Sequence, residues 1–277
     1  MADPIWIAGM PRSGTSWLAQ MFGAHPDVLL KYDPLFSYAF SGAVDASSSP
    51  GDWDRLFDQV RTTPDPYMDQ QRPKEEGLAP IFETQLDAPH LLVLKTNRRH
   101  HLLASAIERG VAMRLLLLVR DPIETIGSWL ANPTEFPADA DPATEWRSGA
   151  CRKASEDDYW GFEDWKRVTS LQVDLAERYP DVARLVTYAD LDADPTAALA
   201  GCFDWAGLPA HPQVDAFLDA SRTSHSDHPR SVYRNPQQRR SGHGRLPAGA
   251  ADAIRRELSG GPLARFLTIV DRSEAPA

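Results

Sequence analysis

The chain of 277 residues contains only two cysteines, Cys151 and Cys202, which stand far apart in sequence. Two thiols cannot staple a small secreted scaffold, so a disulfide framework is excluded and stability must come from a packed core. Positive charge is also scarce: 29 Lys and Arg stand against 39 Asp and Glu, a net charge of -10. A broad footprint for nucleic acid is therefore not expected. No apolar run approaches the roughly 18 residues of a membrane span. The first apolar run already begins at Ile5, which leaves no room for a signal peptide. Together these absences predict a soluble, cytoplasmic protein that engages neither nucleic acid nor membrane.

What is present is a hydrophobic fraction of 42% with eight Trp, enough for a substantial core. The length suits one domain over residues 1–277. Short apolar runs at 5–8, 28–30, 91–94, 114–119 and 183–188 read as strands. The run RLLLLV at 114–119 is apolar without alternation, as in a strand covered on both faces. Helical patterns fall between these runs at 15–22, 101–108, 123–130 and about 159–178, and another helix starts at Pro195. Strands alternating with helices predict a parallel sheet of the doubly wound kind.

Two stretches break the pattern. Residues 132–148, rich in Pro, Ala and acid, read as a surface insertion. Residues 221–246 carry six Arg, three His and one Asp with little apolar periodicity. In an acidic chain such a stretch is either a solvated loop or a loop that closes over an anionic ligand. The three His of that stretch, His225, His228 and His243, have no acid or Cys partner at ligand spacing, so no metal is expected.

The first strand runs into GMPRSGTSW, a loop bounded by Gly9 and Gly14 at the spacing of a phosphate cradle. In an open α/β sheet such a loop delivers backbone N–H groups and the positive end of a helix to the ligand crevice. Ser13, Thr15 and Ser16 add hydroxyls, and Arg12 adds a charged fork. The lysine that reaches the terminal phosphates of ATP or GTP is missing after Gly14, where Thr15 stands instead. The loop thus suits an anion that needs less neutralisation and no metal, such as a sulfuryl group.

On these residues the chain resembles the sulfotransferase family that uses 3′-phosphoadenosine 5′-phosphosulfate (PAPS). PRSGTSWL at 11–18 is similar to that family's 5′-phosphosulfate loop in its carbohydrate-type form. LLLLVRDPIETIGSWL at 115–130 is similar to its 3′-phosphate motif, a buried strand, Arg-Asp-Pro, and Ser eight residues after the Arg. The resemblance implies an α/β, three-layer P-loop-like fold with a central parallel sheet flanked by helices. It assigns Arg12, Ser13, Gly14, Thr15 and Ser16 to the 5′-phosphosulfate, and Arg120 and Ser128 to the 3′-phosphate. ARLVTYADLDADP at 183–195 is similar to the segment whose Tyr approaches the adenine, which makes Tyr188 a candidate there and Trp17 a stacking partner. RRSGHGR at 239–245 resembles the family's Arg-Lys-Gly signature only loosely, and through it Arg239 and Arg240 become further 3′-phosphate candidates.

Sulfuryl transfer to a hydroxyl also needs a base and charge stabilisation at the bridging oxygen. In the family's phenol and steroid members a Lys-Thr-His segment supplies both. The matching residues here are Lys95, Thr96 and Asn97, and Asn97 cannot take the proton. Carbohydrate-type members use a Glu after the second strand; AHPDVLLKYDP at 24–34 places Asp33 there. Asp33 is accordingly the expected base and Lys95 the expected electrophilic partner. Alternatively, His100 or His101 supplies the base after a local shift, and Asp33 caps the turn at Pro34. EDDYWGFEDW at 156–165 faces the acceptor or forms a buried helix face. The expected reaction is sulfuryl transfer from PAPS to a hydroxyl of a small molecule, sugar or glycosylated metabolite. The competing readings are a P-loop kinase or nucleotide hydrolase, and a noncatalytic nucleotide-binding protein.

Overall fold

Leu115–Val119 lacks polar alternation because the strand lies inside the molecule, with every side chain from Leu115 to Val119 buried. The computed structural model describes residues 2–229, 231–233, 235–236 and 245–268. Within them five strands, β1 (Ile5–Gly9), β2 (Val28–Tyr32), β3 (Leu91–Thr96), β4 (Arg114–Val119) and β5 (Ala183–Thr187), form one sheet in the order β2-β3-β1-β4-β5. All four pairings are parallel. The helices are α1 (Thr15–Gly23), α2 (Pro50–Thr62), α3 (Gln71–Glu75), α4 (His100–Glu108), α5 (Pro122–Leu130) and α6 (Pro142–Ser148), then α7 (Gly161–Arg178), α8 (Tyr188–Ala193), α9 (Pro195–Ala206), α10 (Pro212–Thr223) and α11 (Ala250–Leu258).

Alternate residues of each strand point to opposite faces, and both faces are covered. Ile5, Ile7, Val93, Leu116 and Leu118 pack with Leu18 and Phe22 of α1 and Phe203 of α9. Trp6, Ala8, Leu92, Leu94, Leu115 and Leu117 pack with Trp53 of α2, Leu103 of α4 and Leu175 of α7. A third cluster joins Trp129 of α5, Phe162 and Trp165 of α7 and Ile254 of α11 beyond the β4 end. Parallel pairing brings the carboxyl ends of all five strands to one edge, where Gly9, Tyr32, Thr96, Val119 and Thr187 hand over to their loops.

The expected three layers and parallel sheet are thus present, with differences in detail. Helix α2 was not legible from periodicity; its signal is a capping box, with Ser49 and Asp52 bonding each other's backbone and Pro50 opening the helix. Residues 132–148 are not wholly an irregular insertion. Asp141 caps α6 by accepting from the Ala143 N–H, and Phe136 is buried against Trp129 with ring centroids 5.2 Å apart. Of residues 221–246, the first three complete α10, while Arg230, Arg234, Arg239, Arg240 and His243 lie outside the described residues. No helix among the described residues is long and apolar enough to cross a membrane.

Candidate active site

The loop between β1 and α1 needs both of its glycines. A Cβ on Gly9 would meet the Leu118 carbonyl oxygen at 2.6 Å and the Ser13 hydroxyl at 2.7 Å. Gly14 has φ 99°, and a Cβ there would lie 2.6 Å from the Tyr188 ring. Arg12 is also held at positive φ, 68°, a strained conformation for a residue with a side chain. Ser13 is buried, and its hydroxyl donates to Met10 O at 2.7 Å. It closes the loop, whereas Arg12, Gly14, Thr15, Ser16 and Trp17 line the cleft. Helix α1 has no side-chain N-cap, which leaves first-turn N–H groups for a ligand.

The second cation enters from β4. Arg120 follows the strand, donates through Nη1 to Arg12 O at 3.1 Å, and lies 4.5 Å from the Tyr188 ring centroid. Glu124, one helical turn on, faces it at 3.3 Å. The Nε of Arg120 is buried without a hydrogen-bond partner. Its carbonyl accepts from Trp165 Nε1 at 2.9 Å, and Asp121 caps α5 while accepting from the Thr268 N–H at 2.6 Å. The strand end that presents Arg120 is therefore fixed from α7, α5 and the C-terminal segment.

Arg12 does not lie apart from this group. Its Nε donates to Ser128 Oγ at 3.3 Å, Nη1 donates to Pro229 O at 3.1 Å, and Glu135 lies 3.6 Å away. Burial draws the Arg12 pKa below the ordinary arginine value; Glu135 opposes the shift and neighbouring Arg120 adds to it. The resemblance divides Arg12 from Arg120 and Ser128, whereas here the Arg12 side chain itself bonds Ser128. Arg12 Nε reaches across to Ser128 on α5, while Arg120 Nη1 reaches the Arg12 carbonyl, so the three residues form one group. Trp17 and Tyr188 stand beside them, 6.1 Å apart, with Trp17 Nε1 donating to Ser221 Oγ at 2.9 Å. Tyr188 opens α8 and does not end β5, as its place in the run 183–188 predicted.

On the other side of β1 the ends of β2 and β3 carry a different set. Asp33 sits at φ 41°, immediately before Pro34, and makes no capping bond with its side chain. Its N–H donates to Lys95 O at 2.7 Å. Oδ1 is buried without a hydrogen-bond partner, and Oδ2 lies 3.6 Å from the Lys95 ammonium. A buried carboxylate oxygen with no donor among the described residues is costly. Tyr32 accepts from Gln20 Nε2 at 3.0 Å, and burial raises its pKa, so it stays protonated.

Asn97 links the two sets. Lys95 donates to its Oδ1, while its Nδ2 lies 2.8 Å from Gly9 O, 3.1 Å from Met10 O and 2.9 Å from Thr15 Oγ1. Asn97 stands where the family resemblance implies a base, and its contacts to Gly9, Met10 and Thr15 come from residues more than eighty positions away, beyond the reach of a local pattern. His100 and His101, the alternative bases, are not among the residues lining the cleft. His100 is buried against Tyr159, with ring centroids 4.8 Å apart and its pKa lowered to about 3, chiefly by burial. His101 bonds the Tyr159 hydroxyl at 3.0 Å. In the stretch 156–165, Trp160, Phe162 and Trp165 are buried, while Asp158 pairs with Arg98 in the loop after β3.

Arg12, Arg120, Ser128, Asp33, Lys95 and Asn97 open onto one cleft of about 790 Å³. That is near the upper end of the roughly 300–1,000 Å³ of small-molecule sites, with room for a nucleotide and an acceptor. Beyond Asp33 its wall is made by Pro66, Tyr67, Gln70, Arg72, Pro73 and Leu78. This wall is tied to the edge strand: Lys31, buried on β2, donates to Asp69 at 2.6 Å and to Thr63 O at 3.1 Å, and the Tyr32 N–H donates to Met68 O at 3.0 Å.

A model described as "Sulfotransferase family" matches residues 4–212, more than half of the chain. No curated protein matches the sequence. Among solved structures, the chain is similar to mouse sulfotransferase SULT7A1 complexed with PAP, at 14% identity and TM-score 0.59, covering 95% of this chain and 86% of that one. It is also similar to the sulfotransferase domain from the curacin biosynthetic pathway, at 16% identity and TM-score 0.48, covering 94% and 98%. Sulfotransferase STF1 from Mycobacterium tuberculosis matches at 17% identity and TM-score 0.48, covering 94% and 77%.

Proposed function

The chain belongs to the sulfotransferase family, and from that premise we propose that it moves the sulfuryl group of PAPS to a hydroxyl of a small molecule, sugar or glycosylated metabolite. The observation that carries the reading is the division of one cleft into two anion-binding parts. Arg12, Arg120 and Ser128 converge on one side of the β1 loop. The first-turn amides, Thr15 and Lys95 lie on the other, with Asp33 beyond. A nucleotide with phosphate at 3′ and phosphosulfate at 5′ matches this pattern, the 3′-phosphate going to the two guanidiniums and the 5′ group to the loop. The buried Arg120 Nε, which has no hydrogen-bond partner among the described residues, supports the reading as a donor for such a phosphate. Tyr188 and Trp17 flank the base.

In this reading the acceptor hydroxyl stands in line with sulfur, and Asp33 takes its proton. A new bond forms from the acceptor oxygen to sulfur while the bond from sulfur to the bridging oxygen breaks. The electron pair remains on the 5′-phosphate of departing adenosine 3′,5′-bisphosphate (PAP), where Lys95 and the loop amides stabilise it. The sulfuryl group carries less charge than a terminal phosphoryl group, so lysine after Gly14 and a metal are both dispensable. Two widely separated free thiols, Cys151 and Cys202, suit a reducing cytoplasm as the place of reaction.

The test is turnover of sulfur-labelled PAPS against a panel of phenols, sugars and glycosides. Transfer to one acceptor class, lost in Asp33→Asn with PAP binding intact, supports the reading. PAP binding without transfer to any class would favour a noncatalytic nucleotide-binding protein.

A further inference from the structure

We propose that Asn97 is a positioning residue that couples the anion loop to the Asp33–Lys95 pair, so that nucleotide binding depends on Lys95 through Asn97. The inference rests on the sulfotransferase reading of the cleft and adds to it a residue that has no chemistry of its own.

The side-chain amide has two hydrogens and one oxygen, and its surroundings fix which end is which. Gly9 O and Met10 O accept only, so they require the NH2 end; the Lys95 ammonium donates only, so it requires Oδ1. A flipped amide would set its oxygen against two carbonyls and its hydrogens against an ammonium. The third neighbour of Nδ2, Thr15 Oγ1 at 2.9 Å, accepts as well, so one of the two hydrogens is shared between acceptors and the threonine's own hydrogen points elsewhere. Thr15 is buried and lines the cleft, so that hydrogen is available to an anion in the loop.

Lys95 has three hydrogens. One is held by Asn97, and Asp33 Oδ2 stands 3.6 Å from the nitrogen on another side. Without Asn97 the ammonium loses the one hydrogen bond that holds it toward the loop among the described residues, and Coulomb attraction draws it toward Asp33. That collapse would remove the cation from the bridging oxygen and neutralise the base together. Asn97 thus keeps Lys95 between the loop and the carboxylate. Because it also ties the carboxyl end of β3 to the carbonyls of Gly9 and Met10, the loop and the lysine hold their positions as one unit.

A double-mutant cycle read by calorimetric binding of PAPS and of PAP, without acceptor, tests this directly. In the wild type, Lys95→Met weakens PAPS binding about tenfold or more, as loss of a hydrogen bond from a charged group does. In the Asn97→Ala background the same change costs less than about threefold, because Lys95 is no longer held toward the loop. Asn97→Asp retains an acceptor for Lys95 but turns lone pairs on Gly9 O and Met10 O. It weakens binding while the full Lys95→Met penalty persists, and this contrast does not depend on Asn97→Ala folding. An equal Lys95→Met penalty in the wild-type and Asn97→Ala backgrounds overturns the proposal, as does wild-type affinity in Asn97→Asp. In both results PAP binding by the wild type leaves the sulfotransferase reading standing. A wild type that binds neither PAPS nor PAP refutes the reading and the inference together.

Discussion

The two sides of the β1 loop are built differently. On the β4 side the charges meet protein partners: Arg12 faces Ser128 and Glu135, and Arg120 faces Glu124 and the Arg12 carbonyl. On the β2 and β3 side a carboxylate is held at positive φ with a buried oxygen that finds no donor. In the proposed function the first arrangement exchanges these protein partners for a phosphate. The second holds an unmet hydrogen bond, where the proposed function has the acceptor's proton received. In the proposed function, recognition of the 3′ end falls to the first side and proton transfer to the second.

Asp33→Asn probes that division with the largest expected effect. It lowers kcat by about 10²–10⁴-fold, the usual contribution of a positioned base, while PAP affinity stays nearly unchanged in calorimetry. A parallel loss of PAP affinity would break the contrast between the halves. Arg120→Ala is the converse. Loss of charge-assisted bonds weakens PAP binding about 10–100-fold. Adenosine 5′-phosphate, which lacks the 3′ group, loses much less. Equal losses for the two nucleotides would show that Arg120 does not read the 3′ end.

The halves also differ in how far sequence disclosed them. The cradle was legible because its parts are local: Gly9 to Thr15 form one loop, and Arg120 and Ser128 share a strand–helix junction. The spacing named residues that the structure brings to one cleft, although it could not show that Arg12, at positive φ, turns across to Ser128. The sheet was legible for a related reason, since apolar runs such as Leu115–Val119 mark buried parallel strands. The acceptor side depends on contacts between distant segments. Asp33 was identifiable through resemblance, yet its neighbours Asn97 and the wall at residues 65–79 are brought in by topology. Helix α2 needed its capping box, and α6 lay inside a segment whose Pro and acid content suggested a loop.

Lys31 gives a smaller test of the acceptor side. It is buried, with 5% of its side chain exposed, and its bond to Asp69 anchors the wall that carries Tyr67 and Gln70. Lys31→Met raises the acceptor KM several-fold, on the order of the 1–2 kcal/mol such a bond is worth, and leaves PAP affinity unchanged. Equal effects on both ligands would mean that the wall is not specific to the acceptor.

The smallest effect at neutral pH belongs to His100. Its folded pKa, about 3, lies below the ordinary value of 6.5. The unfolded chain therefore binds more protons between those values, so stability is fully present above pH 6.5 and declines as pH falls toward 3. His100→Gln flattens that acid slope in denaturant titrations and keeps kcat within about twofold, as expected of a residue outside the catalytic groups. A large loss of kcat would return His100 to the list of bases.

The central claim is that this cleft binds a nucleotide charged at both its 3′ and 5′ ends. Calorimetric titration with PAP, adenosine 5′-phosphate and Mg-ATP tests it most directly. The account predicts magnesium-independent binding of PAP, with adenosine 5′-phosphate weaker by about tenfold or more for want of the 3′ group. Magnesium-dependent binding of ATP with no affinity for PAP would contradict it.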